Sequence, residues 1–307
     1  MKLVKNLGIW YVDNTYFLLA NTKKIQVYLH NGKLLSEYHI NYAEYAYNMC
    51  IARNKLIYKK VESKTAFNIV DINSGAKKRI NLRKELDYIS KIEKIDDDQI
   101  VIIGWSHIFE NDQAIALESQ IVMYNLIEDK IVKHLSNDLH INNQIITFNN
   151  KLYFLFYNNK DMLDIYCIED NEFKKVRSLD LDMMTHFYLN KQIKNFIIIH
   201  DQSVINVIDM KEEKIIFSYD YTDKYEISSY ARPGLFEWEG RIFLHLAISK
   251  IGEFNYETLF FDIQTGKLCK RLKQSIKVYN LHSNKILYQI NKESGVRTIP
   301  EVFIIDC

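Results

Sequence analysis

The sequence predicts an all-β fold of seven four-stranded antiparallel sheets, and three observations carry that expectation. Helical signals are nearly absent, since few stretches hold an apolar repeat of about 3.6 residues over three turns. One strand–turn–strand unit recurs seven times along the 307 residues. The last copy stops short of its final strand, and a segment that fits the gap, KLVKNL at Lys2–Leu7, stands at the opposite end of the chain.

The first strand of the unit reads TYFLLAN, KLIYKKV, QIVIIGW, KLYFLFY, NFIIIHD, RIFLHLA and KILYQIN in successive copies. These are short apolar or alternating runs rich in β-branched and aromatic residues, which suit a pleated surface buried on both sides. A second strand follows and runs into a turn anchored at Tyr28, Asp71, Asn125, Cys167, Asp209, Asp262 and Asp306. Successive anchors lie 43, 54, 42, 42, 53 and 44 residues apart. A period in the low forties is the size of four strands with their turns, which is one blade of a β-propeller.

A further strand precedes each unit and ends in a polar turn: GIWYVDN, YNMCIARN, SKIEKIDDD, NQIITFNN, HFYLNKQ, GLFEWEG and VYNLHSN. Asn31-Gly32, Ser74-Gly75 and Thr265-Gly266 supply residues tolerant of positive φ between strands. With only 9 Gly and 2 Pro in the chain, Asn, Asp and Lys must make most other turns. Six copies close with an outer strand: KLLSEY, KKRINL, KIVKHL, FKKVRSL, KIIFSY and KLCKRL. The seventh ends at Cys307, so residues 2–7 are expected to complete the blade formed by 275–306. That arrangement ties the last blade to the first and covers a sheet edge. One domain over residues 1–307 is expected.

The whole chain resembles the seven-bladed β-propeller superfamily, and FDIQTGK and IVDINSGAK look like strand–turn segments of WD40-like and quinoprotein-like repeats. The match is one of period and pattern. No Trp-Asp or Gly-His dipeptide occurs, nor the Gly-Gly of kelch repeats, nor the recurrent Trp of quinone-cofactor blades. The resemblance therefore implies architecture, and no cofactor or activity is carried over with it.

Composition narrows the function classes. Net charge is +1 and the Lys and Arg residues are spread along the length, so no clustered footprint for nucleic acid is present. The longest apolar runs fall far short of the roughly 18 residues of a spanning helix, and the N-terminus lacks the apolar core of a signal peptide. Cys50, Cys167, Cys269 and Cys307 show no Cys-x-x-Cys pair and read as reduced thiols, which fits a cytoplasmic location. A monomer without cofactor or metal, not attached to a membrane, is expected.

Motifs for chemistry are few. Nucleophile elbows, phosphate loops and dinucleotide fingerprints are missing. Asp96–Asp98 lacks the glycine and closing glutamate of a calcium loop and reads as a solvated turn. His107, Glu110 and Asp112 share one segment, where a metal site is the lesser reading. His200 and His245 lie on apolar strands and read as core or interface residues. Tyr45 and Tyr47 stand at the start of an inner strand, where they could meet a ligand or pack between blades.

Loop length points to one face. Turns between the preceding strand and the first strand of the unit, and between its second strand and the outer strand, are short in every copy. The extra residues fall in Gly104–Ser119, Asp220–Gly234, Ala247–Glu257 and Asn291–Pro300, expected to be long loops on the other face. Arg232, Trp105, His107, Tyr225, Tyr256, Arg297 and Tyr45 are the candidate binding residues, Arg232 foremost because Pro233 biases it to an extended conformation. The expectation is a noncatalytic scaffold or ligand-binding module, taking a protein partner or a small molecule on that face. The alternative is a propeller enzyme of lyase or lactonase type acting at the mouth of the central channel.

Overall fold

A computed structural model of the chain describes all residues except 1, 22, 40–47, 61, 111–112, 138–144, 149–150, 158–161, 170–171, 181–185, 190–192, 194–195, 201–203, 210, 213, 222–224, 228–231, 254–255, 282–284, 295–296 and 307. The N-terminal strand is β1 (Lys2–Lys5). The first blade is β2 (Gly8–Val12), β3 (Tyr16–Ala20), β4 (Lys24–Leu29) and β5 (Leu34–His39). The second is β6 (Met49–Ala52), β7 (Lys55–Lys59), β8 (Ala66–Asp71) and β9 (Lys77–Asn81). The third is β10 (Tyr88–Lys94), β11 (Gln99–Glu110), β12 (Gln113–Asn125) and β13 (Lys130–Asn137). The fourth is β14 (Ile145–Phe148), β15 (Lys151–Tyr157), β16 (Met162–Glu169) and β17 (Glu172–Asp180). The fifth is β18 (His186–Leu189), β19 (Phe196–His200), β20 (Val204–Asp209) and β21 (Lys214–Asp220).

The sixth blade contains β22 (Tyr225–Ile227), β23 (Gly234–Trp238), β24 (Arg241–Lys250), β25 (Glu257–Asp262) and β26 (Leu268–Leu272). Here β23 pairs with the first half of β24 and β22 with its last three residues, so two short strands share the inner position. The seventh blade is β27 (Ser275–Leu281), β28 (Lys285–Ser294) and β29 (Arg297–Asp306), with β1 on its outer edge. The fold is thus an all-β, seven-bladed propeller, and the N-terminal strand completes the last blade. Lys2, Val4 and Lys5 pair antiparallel with Phe303, Val302 and Glu301.

Burial follows strand position. The inner and middle strands carry the core, as in MCIA of β6 and AFNIVD of β8, while the outer β9 and β26 are largely exposed. The outer strands can therefore begin with lysine, because their side chains stay in water.

The chain divides into two compact units. One comprises Met1–Leu19, Leu29–Lys33 and Asp182–Cys307. Its core includes Ile198, Val207, Leu235, Leu246 and Leu259 from the fifth and sixth blades, and Phe236, Ile276, Val278 and Ile286 from the sixth and seventh. The other comprises Ala20–Tyr28 and Leu34–Leu181, with Val101, Ile103, Ile121, Leu152 and Phe154 packed between the third and fourth blades.

The repeat has a physical origin at its anchor. The carboxylates of Asp71, Asp209 and Asp262 and the amide oxygen of Asn125 each accept the backbone N–H groups two and three residues on. The side chain thereby closes the turn that the backbone alone would leave unsatisfied. A register shift lies just before the anchor in the third to sixth blades. In the first blade that shift sits at Val27/Tyr28, and the turn bonds use Leu29, so the structural anchor is Leu29 rather than Tyr28. Leucine cannot make the side-chain bond, and Asn31 serves the turn instead by accepting from the Lys33 amide.

Asp96–Asp98 forms a turn as expected. Asp96 accepts the amides of Asp98 and Gln99, Asp97 meets Lys94, and Asp98 meets Arg53. Cys50, Cys167 and Cys269 are free thiols, the first two buried and the third exposed. Cys307 lies outside the described residues.

Among the described residues, much of the enlarged segments is strand rather than loop. Gly104–Ser119 continues the β11–β12 ladder out to Glu110 and Gln113, and Asn291–Pro300 continues β28–β29 out to Ser294 and Arg297. Asp220–Gly234 contains β22, and β24 runs through Ala247 to Lys250. Cross-strand pairing gives partners to the backbone N–H and C=O groups that face the neighbouring strand, which an irregular segment would leave to water.

Candidate functional site

In the third blade the extended hairpin carries a stack of rings. Tyr88 of β10 and Trp105 of β11 stack at 5.1 Å with a 23° interplanar angle. Trp105 meets His107 edge-on at 5.1 Å, and His107 meets Phe109 at 5.8 Å. Alternation along β11 puts these three side chains on one face, with Leu117 opposite His107 on β12. At the inner end, the fully buried Lys59 lies with its Nζ 3.9 Å from the Tyr88 ring centroid. That geometry is a cation–π contact in a desolvated setting.

Asp87 locks the hairpin in place. Its amide donates to Trp105 O, and its carboxylate accepts from the His107 amide at 2.8 Å and contacts His107 Nδ1 at 3.1 Å. These bonds, the amide first, hold the Asp87 carboxyl below its ordinary range.

Gly104 sets the approach of the two strands. A Cβ there would fall 2.2 Å from Tyr88 O and 2.8 Å from Leu86 Cδ2. The nearer atom is backbone, so it cannot swing aside. Gly104→Ala is expected to destabilise the protein by about 2 kcal/mol, in the range for overpacking. It should also shift the Trp105 emission as the Tyr88 stack opens. Denaturation with an unchanged midpoint and unchanged emission would refute the close-approach account.

Beyond the stack, the hairpin is exposed and apolar. Phe109 is 61% exposed, Ile115 58%, Leu117 41% and Ile108 39%. Glu110 and Glu118 lie among them.

The second gathering is in the sixth and seventh blades. The Glu237 amide donates to Asn280 Oδ1 at 2.6 Å, and Asn280 Nδ2 donates back to Glu237 O at 2.6 Å. The Val278 amide donates to His245 Nε2 at 3.4 Å. These bonds hold β23 beside β27. Gly234 faces His245 across the β23–β24 ladder, and a Cβ on it would lie 2.5 Å from His245 Nε2. Arg232 leads into β23 through the buried Pro233 and is exposed.

Alternation along β27 buries Ile276 and Val278 in the apolar cluster and turns Lys277 and Tyr279 to the other face. Burial, and then the Arg232 charge, push Lys277 down to about 8. Burial pushes Tyr279 up to about 12, with Arg232 pulling the other way. Both residues therefore feel the Arg232 guanidinium. His245 accepts through Nε2 and is held neutral, pushed down to about 3 chiefly by burial. Its Nδ1 has no partner among the described atoms.

The structure thus joins Trp105 and His107 in one unit and places Arg232 in the other. Tyr225 on β22 leans on the core of its own unit near Tyr219, and Tyr256 is half-buried just before β25. Arg297 pairs with Ser294 through the ladder, and its side chain lies outside the described residues, as do Tyr45, Tyr47 and Asp112. His245 is a core residue satisfied on one nitrogen only, and the His200 side chain lies outside the described residues. Sequence reading missed Tyr88, Phe109, Lys277 and Tyr279. Phe109 was legible in the alternation of WSHIFE, and Lys277 as the one charge inside the strand IKVYNL.

No family model matches the chain, and no curated protein matches it. Solved structures do. The C-terminal WD40 domain of Sif2 is similar over 96% of this chain and 80% of that one, with TM-score 0.55 and 13% identity. BamB from Moraxella catarrhalis matches over 97% and 85%, with TM-score 0.53 and 11% identity. Hsv2 from Kluyveromyces lactis matches over 98% and 99%, with TM-score 0.59 and 10% identity. At such identities the likeness is one of fold.

Proposed function

We propose that this seven-bladed β-propeller is a noncatalytic interaction module, one domain over residues 1–307, that takes a protein partner on the β11–β12 hairpin. The reading is carried by the apolar end of that hairpin, where Ile108, Phe109, Ile115 and Leu117 are exposed within ten residues of one another. Clustered exposed apolar residues of this size mark interaction surfaces on soluble proteins, whereas single ones do not. The hairpin is also preorganised. Its strands pair out to Glu110 and Gln113 with one register shift at Ile108/Phe109, and its base is stiffened by the Lys59–Tyr88–Trp105 stack and by Asp87. A rigid aromatic surface loses little conformational entropy on binding. Glu110 and Glu118 favour a partner whose apolar contact is bordered by basic side chains. A cytoplasmic location belongs to the same reading and is supported by the free thiols of Cys50, Cys167 and Cys269.

The test is a Phe109→Ser/Ile115→Ser double variant. Both side chains are exposed, so its melting temperature should stay within a degree or two of the wild type. A photo-crosslinking residue placed at Leu117 should trap one discrete adduct in cells, and the double variant should abolish it. Equal trapping in the presence and absence of the double substitution would overturn the assignment. So would the same adduct from a probe at Ile215, an exposed apolar residue on β21.

A further inference from the structure

The β11–β12 hairpin runs past the strands on either side of it. Pairing with β10 ends where Tyr88 meets Trp105, and pairing with β13 ends where Asn137 meets Ser119. Beyond those points β11 and β12 continue as a two-stranded ribbon to Glu110 and Gln113. Every residue of 107–110 and 113–117 is exposed, so both faces of the ribbon lie open. Two strands alone are marginally stable in water, and a third strand that covers apolar surface stabilises them.

The two edges of the ribbon differ. The Asp87 amide donates to Trp105 O and the Asp87 carboxylate accepts from the His107 amide, so the backbone groups of Trp105 and His107 face β10. Asp87 thereby closes the β11 edge at His107. Backbone groups alternate in direction along an antiparallel strand, so Ser106 and Ile108 turn theirs to β12, where Glu118 and Ala116 oppose them. Leu117, opposite His107, must then direct its N–H and C=O away from β11, beyond the end of β13. Ile115 is the extra residue at the register shift and has no counterpart on β11. Among the described residues no strand other than β11 pairs with this stretch of β12.

Alternation also sorts the side chains. Trp105, His107 and Phe109 share one face with Leu117, whereas Ile108 shares the other with Glu110 and Glu118. Residues 105–120 include Glu110, Asp112 and Glu118 and no Lys or Arg. Glu118 accepts from Gln120 Nε2 at 2.9 Å, a neutral donor, and Glu110 makes no ion pair among the described residues.

We propose, taking the hairpin as the partner site, that the partner docks as a strand. An extended segment in which apolar residues alternate with Lys or Arg pairs with the free edge of β12 at Ile115–Leu117. In strand addition of this kind the main-chain hydrogen bonds give affinity and alternate side chains give specificity. One face of the incoming strand continues the apolar surface of Phe109 and Leu117. The other lies on the side of Glu110 and Glu118 and carries the basic residues. A second copy of this chain is a poor occupant, because its own acidic hairpin would bring like charges together.

The probe is a capped peptide of alternating Val and Lys, titrated into the full chain against a peptide of equal composition whose Val and Lys form separate blocks. The alternating peptide is expected to bind saturably and at least about tenfold more tightly than the blocked one. On binding, the Leu117 amide should gain about tenfold or more protection from hydrogen exchange. Leu117→Pro removes that N–H without costing a bond to β11, and it should bind about tenfold more weakly than Leu117→Ala. The Glu110→Gln/Glu118→Gln double variant should weaken the alternating peptide and flatten the salt dependence of its binding.

No saturable binding of the alternating peptide, or equal binding of the two peptides, would overturn strand addition. So would a Leu117 amide that stays unprotected in the complex, or Leu117→Pro binding like Leu117→Ala. Sedimentation of the chain as a dimer that Leu117→Pro dissociates would overturn the basic-strand assignment. If any of these came with a Leu117 adduct still lost in Phe109→Ser/Ile115→Ser, the hairpin would stand as the partner site and strand addition alone would fall.

Discussion

Removing residues 1–7 is expected to lower the stability of the protein by about 3 kcal/mol or more, the range for vacating a buried leucine site. Leu7 is 1% exposed, so its loss opens a cavity at a closely packed position. The truncation also strips β29 of its partner. The pairing of Lys2, Val4 and Lys5 disappears, as do the Asn6 amide bond to Pro300 O and the Lys2–Glu301 ion pair at 2.8 Å. The exposed edge of β29 would then be a template for pairing with other chains. Urea denaturation and light scattering of residues 8–307 check both effects. Leu7→Ala should reproduce much of the destabilisation and none of the aggregation. A truncated protein with the wild-type midpoint would show that β1 contributes no stability.

Acidification should destabilise the protein through His245. Its imidazole is pushed down to about 3 from an ordinary value near 6.5, because burial opposes the charged form. The folded state thus binds the proton less readily than the unfolded chain. The stabilisation is complete above pH 6.5 and is lost as pH falls toward 3, at about 1.4 kcal/mol per pH unit. By pH 4.5 the loss attributable to this residue is about 2.7 kcal/mol. Carboxylates held low, such as Asp87, begin to contribute only below that window. His245→Gln keeps an acceptor for the Val278 amide but cannot titrate. It should be less stable than the wild type at pH 7, yet nearly flat between pH 6.5 and 4.5. A parallel decline of the two proteins across that interval would exclude His245 as the source.

Architecture was readable from the chain because its causes are local. An Asp or Asn at the anchor closes its turn through bonds two and three residues away, so Asp71, Asn125, Asp209 and Asp262 mark the repeat without reference to anything distant. The first anchor was misplaced by one residue because Leu29 has no such side chain to show it. The ring closure was readable for a different reason: only one copy lacked an outer strand, and only one segment was left over.

The candidate site was legible in part. Residue type and segment length pointed to Trp105, His107 and Arg232, but Trp105 and His107 stand on a paired strand, whereas Arg232 lies just before one. A sequence shows extra residues; whether they pair depends on the backbone partner alongside them. The Tyr88–Trp105 stack needs Gly104 to let β10 approach, and that contact is set by atoms sixteen residues apart in the chain.

By itself, then, the sequence determined an all-β propeller of seven blades closed by its own N-terminus, since strand period, turn chemistry and the missing seventh strand are properties of consecutive residues. Only the tertiary structure decided that the hairpin presents Phe109 and Ile115 to solvent, and that Asn280 holds β27 beside β23 through the backbone of Glu237, 43 residues away. Those groupings arise from register between strands and from packing of one blade on the next. Burial and charge at a point in space belong to the assembled fold, and no linear pattern encodes them.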